Sequence, residues 1–394
     1  MTPTREAALA QLQAFIPRAG RAYAANRNVD HGPQDRSNVS ALSPYIRRRM
    51  ITEEEVVRSV LSAHSFAAAE KYIQEIAWRT YWKGWLEMRP NMLRRYNAEL
   101  AAQRHEMQTN SGLAKVVERA QSGATGIECF DAWAQELTEY GWLHNHSRMW
   151  FASIWIFTLG LPWQLGADFF YRYLIDADPA SNTLSWRWVA GLHTRGKHYL
   201  ARAENIERNT QGRFAPYGDL NETAGPLPED APPPDIVPLP AGQRPSGGKL
   251  ALLITEEDLH PESWHIDGDI AGIAVLPSVH PSPQDSVARR FAEGAITDAV
   301  QRAGQHFGVG ADMVNIADLP SWTAGLGVGE LVTAYAPAGD VAIQMQQLEP
   351  ALTEKDIAFI RLQREWDTAL WPHAKAGFFK LKTKLAPHVA SFIL

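Results

Sequence analysis

The chain has 394 residues, enough for two domains around a sizeable core, and 45% hydrophobic against 21% charged residues is the balance of an ordinary soluble protein. A formal net charge of −6 gives no overall surplus for gripping a nucleic-acid backbone, yet the charge is uneven: residues 1–225 hold 26 Lys and Arg against 23 Asp and Glu, and the remainder 12 against 21. A single cysteine, Cys129, excludes an intrachain disulfide and a four-cysteine iron–sulfur site.

The first 21 residues lack the positive start and apolar stretch of a secretory leader, so a cytoplasmic protein is expected. Residues 1–215 predict helix throughout. Thr52 and Glu55 have the spacing of a capping box, followed by apolar residues three and four apart at Val56, Val60 and Leu61. The same periodicity covers Ala67–Met88, Phe130–Tyr140 and Leu143–Leu159. The most apolar run, Met149–Trp163, is too short to span a bilayer and predicts a buried core helix. Proline and glycine then dominate residues 226–248, including Pro232-Pro233-Pro234, which reads as an extended linker.

Beyond the linker, Leu250–Thr255 and Ile270–Leu276 predict buried strands, and Gln284–Phe307 an amphipathic helix. Further strands are expected at Glu330–Tyr335 and Val341–Gln344. The glycine-rich Gly325–Gly329 lacks the spacing of a nucleotide loop and reads as a turn before a strand. The expected architecture is mainly α: a helical domain at 1–225, a linker at 226–248 and a smaller α/β domain at 249–394.

Four stretches carry a resemblance. Gly141-Trp142-Leu143-His144-Asn145-His146-Ser147-Arg148-Met149 is similar to an HNRxRM helix, and Asp176-Ala177-Asp178-Pro179-Ala180-Ser181-Asn182 with Trp186-Arg187-Trp188 to a DGDxAxN…WxW stretch. Ser40-Ala41-Leu42-Ser43-Pro44-Tyr45 resembles a TSxLSPYL phosphate loop, and Glu75-Ile76-Ala77-Trp78-Arg79 an ExxWR helix. In this order and together they resemble the photolyase and cryptochrome flavoproteins. The resemblance implies an all-helical FAD-binding domain. Ser40, Leu42 and Ser43, with Tyr23 and Arg79, would meet the diphosphate arm. Asp176 and Asp178 would hold the ribose or isoalloxazine side with Arg148 as counter-ion, and Asn182 would face flavin N5. Glu75, Trp78, Asn145, Met149 and Trp188 would form the slot for a damaged pyrimidine pair, and Trp186 and Trp163 a path for electrons.

Departures are Val39, where the family usually has threonine, and His146, where it commonly has arginine. Asn145 argues against the branch that repairs (6-4) photoproducts, whose matching positions are paired histidines. The order of domains resembles a bacterial photolyase-like group with inverted topology, whose C-terminal domain covers the flavin site. The implied function is light-driven repair of cyclobutane pyrimidine dimers, preferring single-stranded DNA, in a monomer without metal, iron–sulfur cluster or antenna chromophore. The alternative is a cryptochrome-type blue-light receptor.

Overall fold

The computed structural model of the chain describes residues 1–228, 231 and 234–393, so Pro232 and Pro233 of the expected linker lie outside the described residues. From Arg5 to Asn209 the regular structure is helical. The Phe66–Glu87 helix runs through the middle. Ser65 caps it by accepting from the Ala68 amide, and its buried residues extend round most of its circumference, as a helix packed on several sides requires. The capping box is present at the Glu53–Leu61 helix, with Thr52 and Glu55 each satisfying the other's backbone amide.

The Met149–Trp163 run is buried apart from Met149, Pro162 and the Thr158–Gly160 turn, but it is not one helix. An α-helix covers Asn145–Ser153, continues as a π-wound turn over Ile154–Thr158, and stops where Gly160 takes φ 65° ahead of Pro162. Proline disfavours helical backbone in the residue before it, so Trp163 starts a separate helix, Trp163–Tyr173.

The α/β portion holds five parallel strands: β1 (Lys249–Ile254), β2 (Asp269–Val275), β3 (Ala311–Met313), β4 (Glu330–Ala334) and β5 (Ala358–Leu362), in the order β3-β2-β1-β4-β5. Helices Val287–Phe307, Leu319–Gly325 and Asp340–Thr353 connect β2 to β5. Val341–Gln344, expected as a strand, lies in the last of these. Met345, Leu348 and Leu352 continue its apolar residues at helical spacing, and all are buried with Val341.

The two faces of the sheet enter different cores. Leu250, Leu252 and Ile254 of β1, with Ile273, Val275 and Val332, belong to the cluster that fills the helical half. Ala251 and Leu253, with Ala274 and Leu331, pack against Val341, Met345, Leu348 and Leu352 on the other side. Period-two alternation along one buried strand therefore gives one face of the sheet to the core of the helical half and the other to a second core of its own. Among the described residues of 226–248 there is no helix or strand. The segment is pinned instead by Leu227 N donating to Ala190 O, Val237 N to Met88 O and Gln243 N to Arg361 O.

A buried ionic seam also crosses from one half to the other. In the order β3-β2-β1-β4-β5 the chain reverses between β1 and β4, and the crevice beyond the strand ends there is where open α/β sheets commonly bind ligands. Here Glu256, Glu257 and Asp258, just after β1, meet three consecutive arginines. Arg47 pairs with Glu257 at 2.8 Å, Arg48 with Glu256 at 3.7 Å and Arg49 with Asp258 at 3.8 Å. Arg49 also bonds Asp367.

Candidate active site

A cavity of about 570 Å³ opens within the helical half, and every residue lining it lies between Tyr23 and Val189. One end is polar. The turn at Ser40–Ser43, with Ala41 at φ 49°, brings Ser40 and Ser43 to the wall, and Gln11 Nε2 holds the Ser40 carbonyl at 2.6 Å. The Ser43 hydroxyl donates to Asp176 and accepts from Arg79 Nη2 at 2.7 Å. Arg79 also pairs with Asp178, and Arg148 Nη1 lies 3.0 Å from Asp176 Oδ1. Burial works to raise the pKa of both carboxyls, but Arg148 and Arg79 outweigh it at Asp176, and Arg79 and Lys83 at Asp178. Both are held below the ordinary carboxylate range.

Asp178 has two tasks at once. Besides meeting Arg79 it caps the Pro179–Ala190 helix, accepting from the Ser181 amide at 2.9 Å. One turn inside that helix, Asn182 Nδ2 donates to the Ala167 carbonyl at 2.7 Å. A carbonyl only accepts, so this bond decides which way the amide is turned and leaves its Oδ1 for the cavity.

The other end is aromatic and more open. Trp78 and Trp188 are half-buried, Met149 lies between solvent and core, and Asn145 is exposed at the rim. Trp188 stacks on Tyr199 at 5.7 Å. Glu75 forms an ion pair with Arg27, which also lines the cavity. Burial raises the Glu75 pKa above the usual glutamate value despite that partner. His146 is neutral near pH 7, because burial, then His144 and Arg27, push it down to about 4.

Residues 72–219 match the family profile described as the FAD binding domain of DNA photolyase. That stretch therefore carries a photolyase-type FAD-binding domain, and the helical half is similar to the photolyase and cryptochrome flavoproteins. Two deoxyribodipyrimidine photo-lyases illustrate the similarity. That of Alkalihalophilus pseudofirmus is 30% identical over 50% of this chain and 39% of its own length, and that of Streptomyces griseus 32% identical over 42% and 38%. The chain thus spans about two fifths of the length of these relatives. A solved bacterial class III photolyase from Agrobacterium tumefaciens is 28% identical, with a TM-score of 0.44, over 52% of this chain and 42% of that one.

Of the residues expected in a photolyase-type site, all but Trp163 line this one cavity. Trp163 stacks on Tyr96 at 5.4 Å, whereas the Trp186 ring meets Trp155 at 6.3 Å and Phe170 at 5.1 Å. Among the residues lining the cavity, none belongs to the α/β portion. Its contact with the wall is from behind: Phe378 lies flat on Trp78, with centroids 3.8 Å apart and planes at 11°. Arg27 was missing from the expected set, although it stands one turn after Tyr23 and caps the end of the short Arg21–Asn26 helix. His144 was missing too. It caps the Asn145–Ser153 helix and approaches the Arg27 carbonyl at 3.0 Å, binding the two walls together.

The residues present fit FAD. The volume lies within the range of about 300–1,000 Å³ usual for cofactor sites. Cations, hydroxyls and carboxyls gather at one end and aromatic rings at the other. Ser181 Oγ and His146 Nδ1 are buried on the wall without a hydrogen-bond partner among the described residues. Ser40, Ser43, Arg79 and Arg148 offer contacts for a diphosphate arm, and Asp176 and Asn182 for a flavin ring.

Proposed function

We propose that the chain is a photolyase that splits cyclobutane pyrimidine dimers in DNA, with single-stranded DNA the favoured substrate. The observation that carries this reading is the company of Glu75, Trp78, Asn145, Met149 and Trp188 in the same cavity as Arg79, Arg148, Asp176 and Asn182. FAD, when bound in reduced form, supplies the light-excited electron that opens the dimer ring.

The chain's own residues hold and orient. Arg79 and Arg148 keep Asp176 ionised, so a fixed negative charge stands where a flavin ring edge or ribose hydroxyl can donate to it. Asn182 presents Oδ1 as an acceptor because its Nδ2 is committed to Ala167. Trp78 and Trp188 offer aromatic surface for an extruded pyrimidine pair, and each base stacked contributes about 1–3 kcal/mol. Glu75 reaches the edge of that pair. Burial raises its pKa against the pull of Arg27, and Arg27 offers beside it the permanent positive charge that neutral His146 does not. Extruding a dimer from a duplex costs a few kcal/mol, and a single strand avoids much of it, which supports the strand preference.

The test separates holding the cofactor from holding the lesion. Glu75→Gln and Trp78→Ala are expected to lower light-dependent dimer repair roughly tenfold or more while the protein purifies with the same FAD content, a loss comparable to one or two stacking or charged hydrogen-bond contacts. Loss of FAD in both variants, with repair per bound FAD unchanged, would contradict these roles.

A further inference from the structure

The C-terminal helix Phe378–Ile393 has no part in the cavity, yet its charge differs from the rest of the α/β portion. Residues 226–367 carry 8 basic and 21 acidic side chains, whereas residues 368–394 carry Lys375, Lys380, Lys382 and Lys384 and no acid. The helix is amphipathic. Phe378, Leu381, Leu385 and Val389 are buried, and Phe379, Lys380, Thr383 and Lys384 face solvent. Lys382 anchors it to the Phe66–Glu87 helix through Glu70 at 3.1 Å. Among the described residues no ion pair holds Lys375, Lys380 or Lys384.

Its position is set by the Phe378 ring stacked on Trp78. The adjoining Phe379 ring, 6.3 Å from Phe378, is 75% exposed, the largest exposure among the large apolar side chains of the described residues. Burial would favour turning such a ring inward; instead a bare aromatic face stands among unpaired lysines, next to the back of a cavity wall. On the neighbouring helix exposed Lys71, one turn before Glu75, adds a further cation. An aromatic platform interleaved with exposed cations matches the chemistry of a single nucleic-acid strand, whose phosphates need charge and whose unpaired bases need a flat partner.

We propose that Phe379 with Lys375, Lys380 and Lys384 forms a landing surface for the single-stranded DNA that flanks a lesion held against Trp78. This rests on the photolyase reading above and extends it to a surface in the other half of the chain. It gives an otherwise acidic α/β portion a direct part in substrate binding, through strand-general contacts and not through the lesion itself.

The test measures binding of the full chain to a labelled single-stranded oligonucleotide, with and without one cyclobutane dimer, across a salt series. Variants are Phe379→Ala, the triple Lys375→Gln/Lys380→Gln/Lys384→Gln, and Trp78→Ala. FAD content and melting temperature check that each variant is folded. Phe379→Ala is expected to weaken both oligonucleotides about fivefold or more. The triple variant is expected to weaken both and to reduce the slope of log affinity against log salt by about 2, at ~0.7 per phosphate contact. In both, the preference for the dimer is kept; Trp78→Ala instead loses that preference. Unchanged affinity and slope in folded surface variants overturn the landing surface while leaving the photolyase reading intact. A wild-type protein that binds neither oligonucleotide overturns both. Equal competition by polyglutamate, insensitive to Phe379, would show a generic anion patch and overturn the assignment to DNA.

Discussion

Asp178 shows how much one side chain in this site carries. It is 1% exposed, caps a helix and pairs with Arg79. Asp178→Ala removes both roles, whereas Asp178→Ser keeps an oxygen for the Ser181 amide. The alanine variant is therefore expected to be less stable than the serine variant by about 1 kcal/mol, measured by urea unfolding. The histidines set a second expectation. Burial, the first cause in each case, pushes His144, His146 and His260 down to about 4 and His193 to about 3. The unfolded chain takes up protons near pH 6.5 but the folded chain does not until about pH 4, so each histidine lowers stability as pH falls through that window. The melting temperature is expected to be lower at pH 5 than at pH 7; a flat profile would mean these rings protonate in the folded state. At this scale the cavity was legible in the sequence because motif residues at fixed spacings returned to one place. Arg27 and Phe378 were not, because their importance comes from partners 48 and 300 residues away, Glu75 and Trp78.

Among the elements, the Ser43–Arg47 helix and the arginines that leave it link the two halves. Arg47 Nε donates to the Ala177 carbonyl at 2.9 Å and Arg48 Nη1 to the Ile175 carbonyl at 2.6 Å, so the loop bearing Asp176 and Asp178 is gripped from behind. The same arginines reach Glu257 and Glu256. Glu257→Gln leaves Arg47 buried beside a neutral partner. Breaking a buried pair costs ~3–5 kcal/mol, and the variant is expected to melt lower and to release FAD more readily, followed by flavin fluorescence during a thermal ramp. Melting and release as in the wild type would show the seam to be dispensable. Nothing local in the sequence announced this seam, since Arg47-Arg48-Arg49 reads as a solvated charge run until the fold sets an acidic turn against it. The strands were legible where both faces are buried, as in β1 with its continuous Leu-Ala-Leu-Leu-Ile. The three-residue edge strand β3 and the half-exposed β5 give too weak a pattern to be read.

For the whole molecule, the shared core is the consequence of sheet pleating. Leu250, Leu252 and Ile254 finish a core that begins in the helical half, so residues 1–225 alone would expose that surface. The fragment is expected to aggregate or to bind FAD weakly, and a well-folded, FAD-retaining fragment would show that the halves are independent. The helical half followed by an α/β portion was readable from the change in composition after Gly225. That the halves share apolar residues was not, because alternation along a strand that is buried on both faces leaves no mark on its hydrophobicity. The central claim is light-driven dimer repair. Its most direct test incubates the purified protein, with its flavin reduced, with a dimer-containing single strand and the matching duplex, under blue light and in darkness. The expected result is loss of dimers in light alone, faster on the single strand. Bound, reducible FAD with no loss of dimers in light would contradict it.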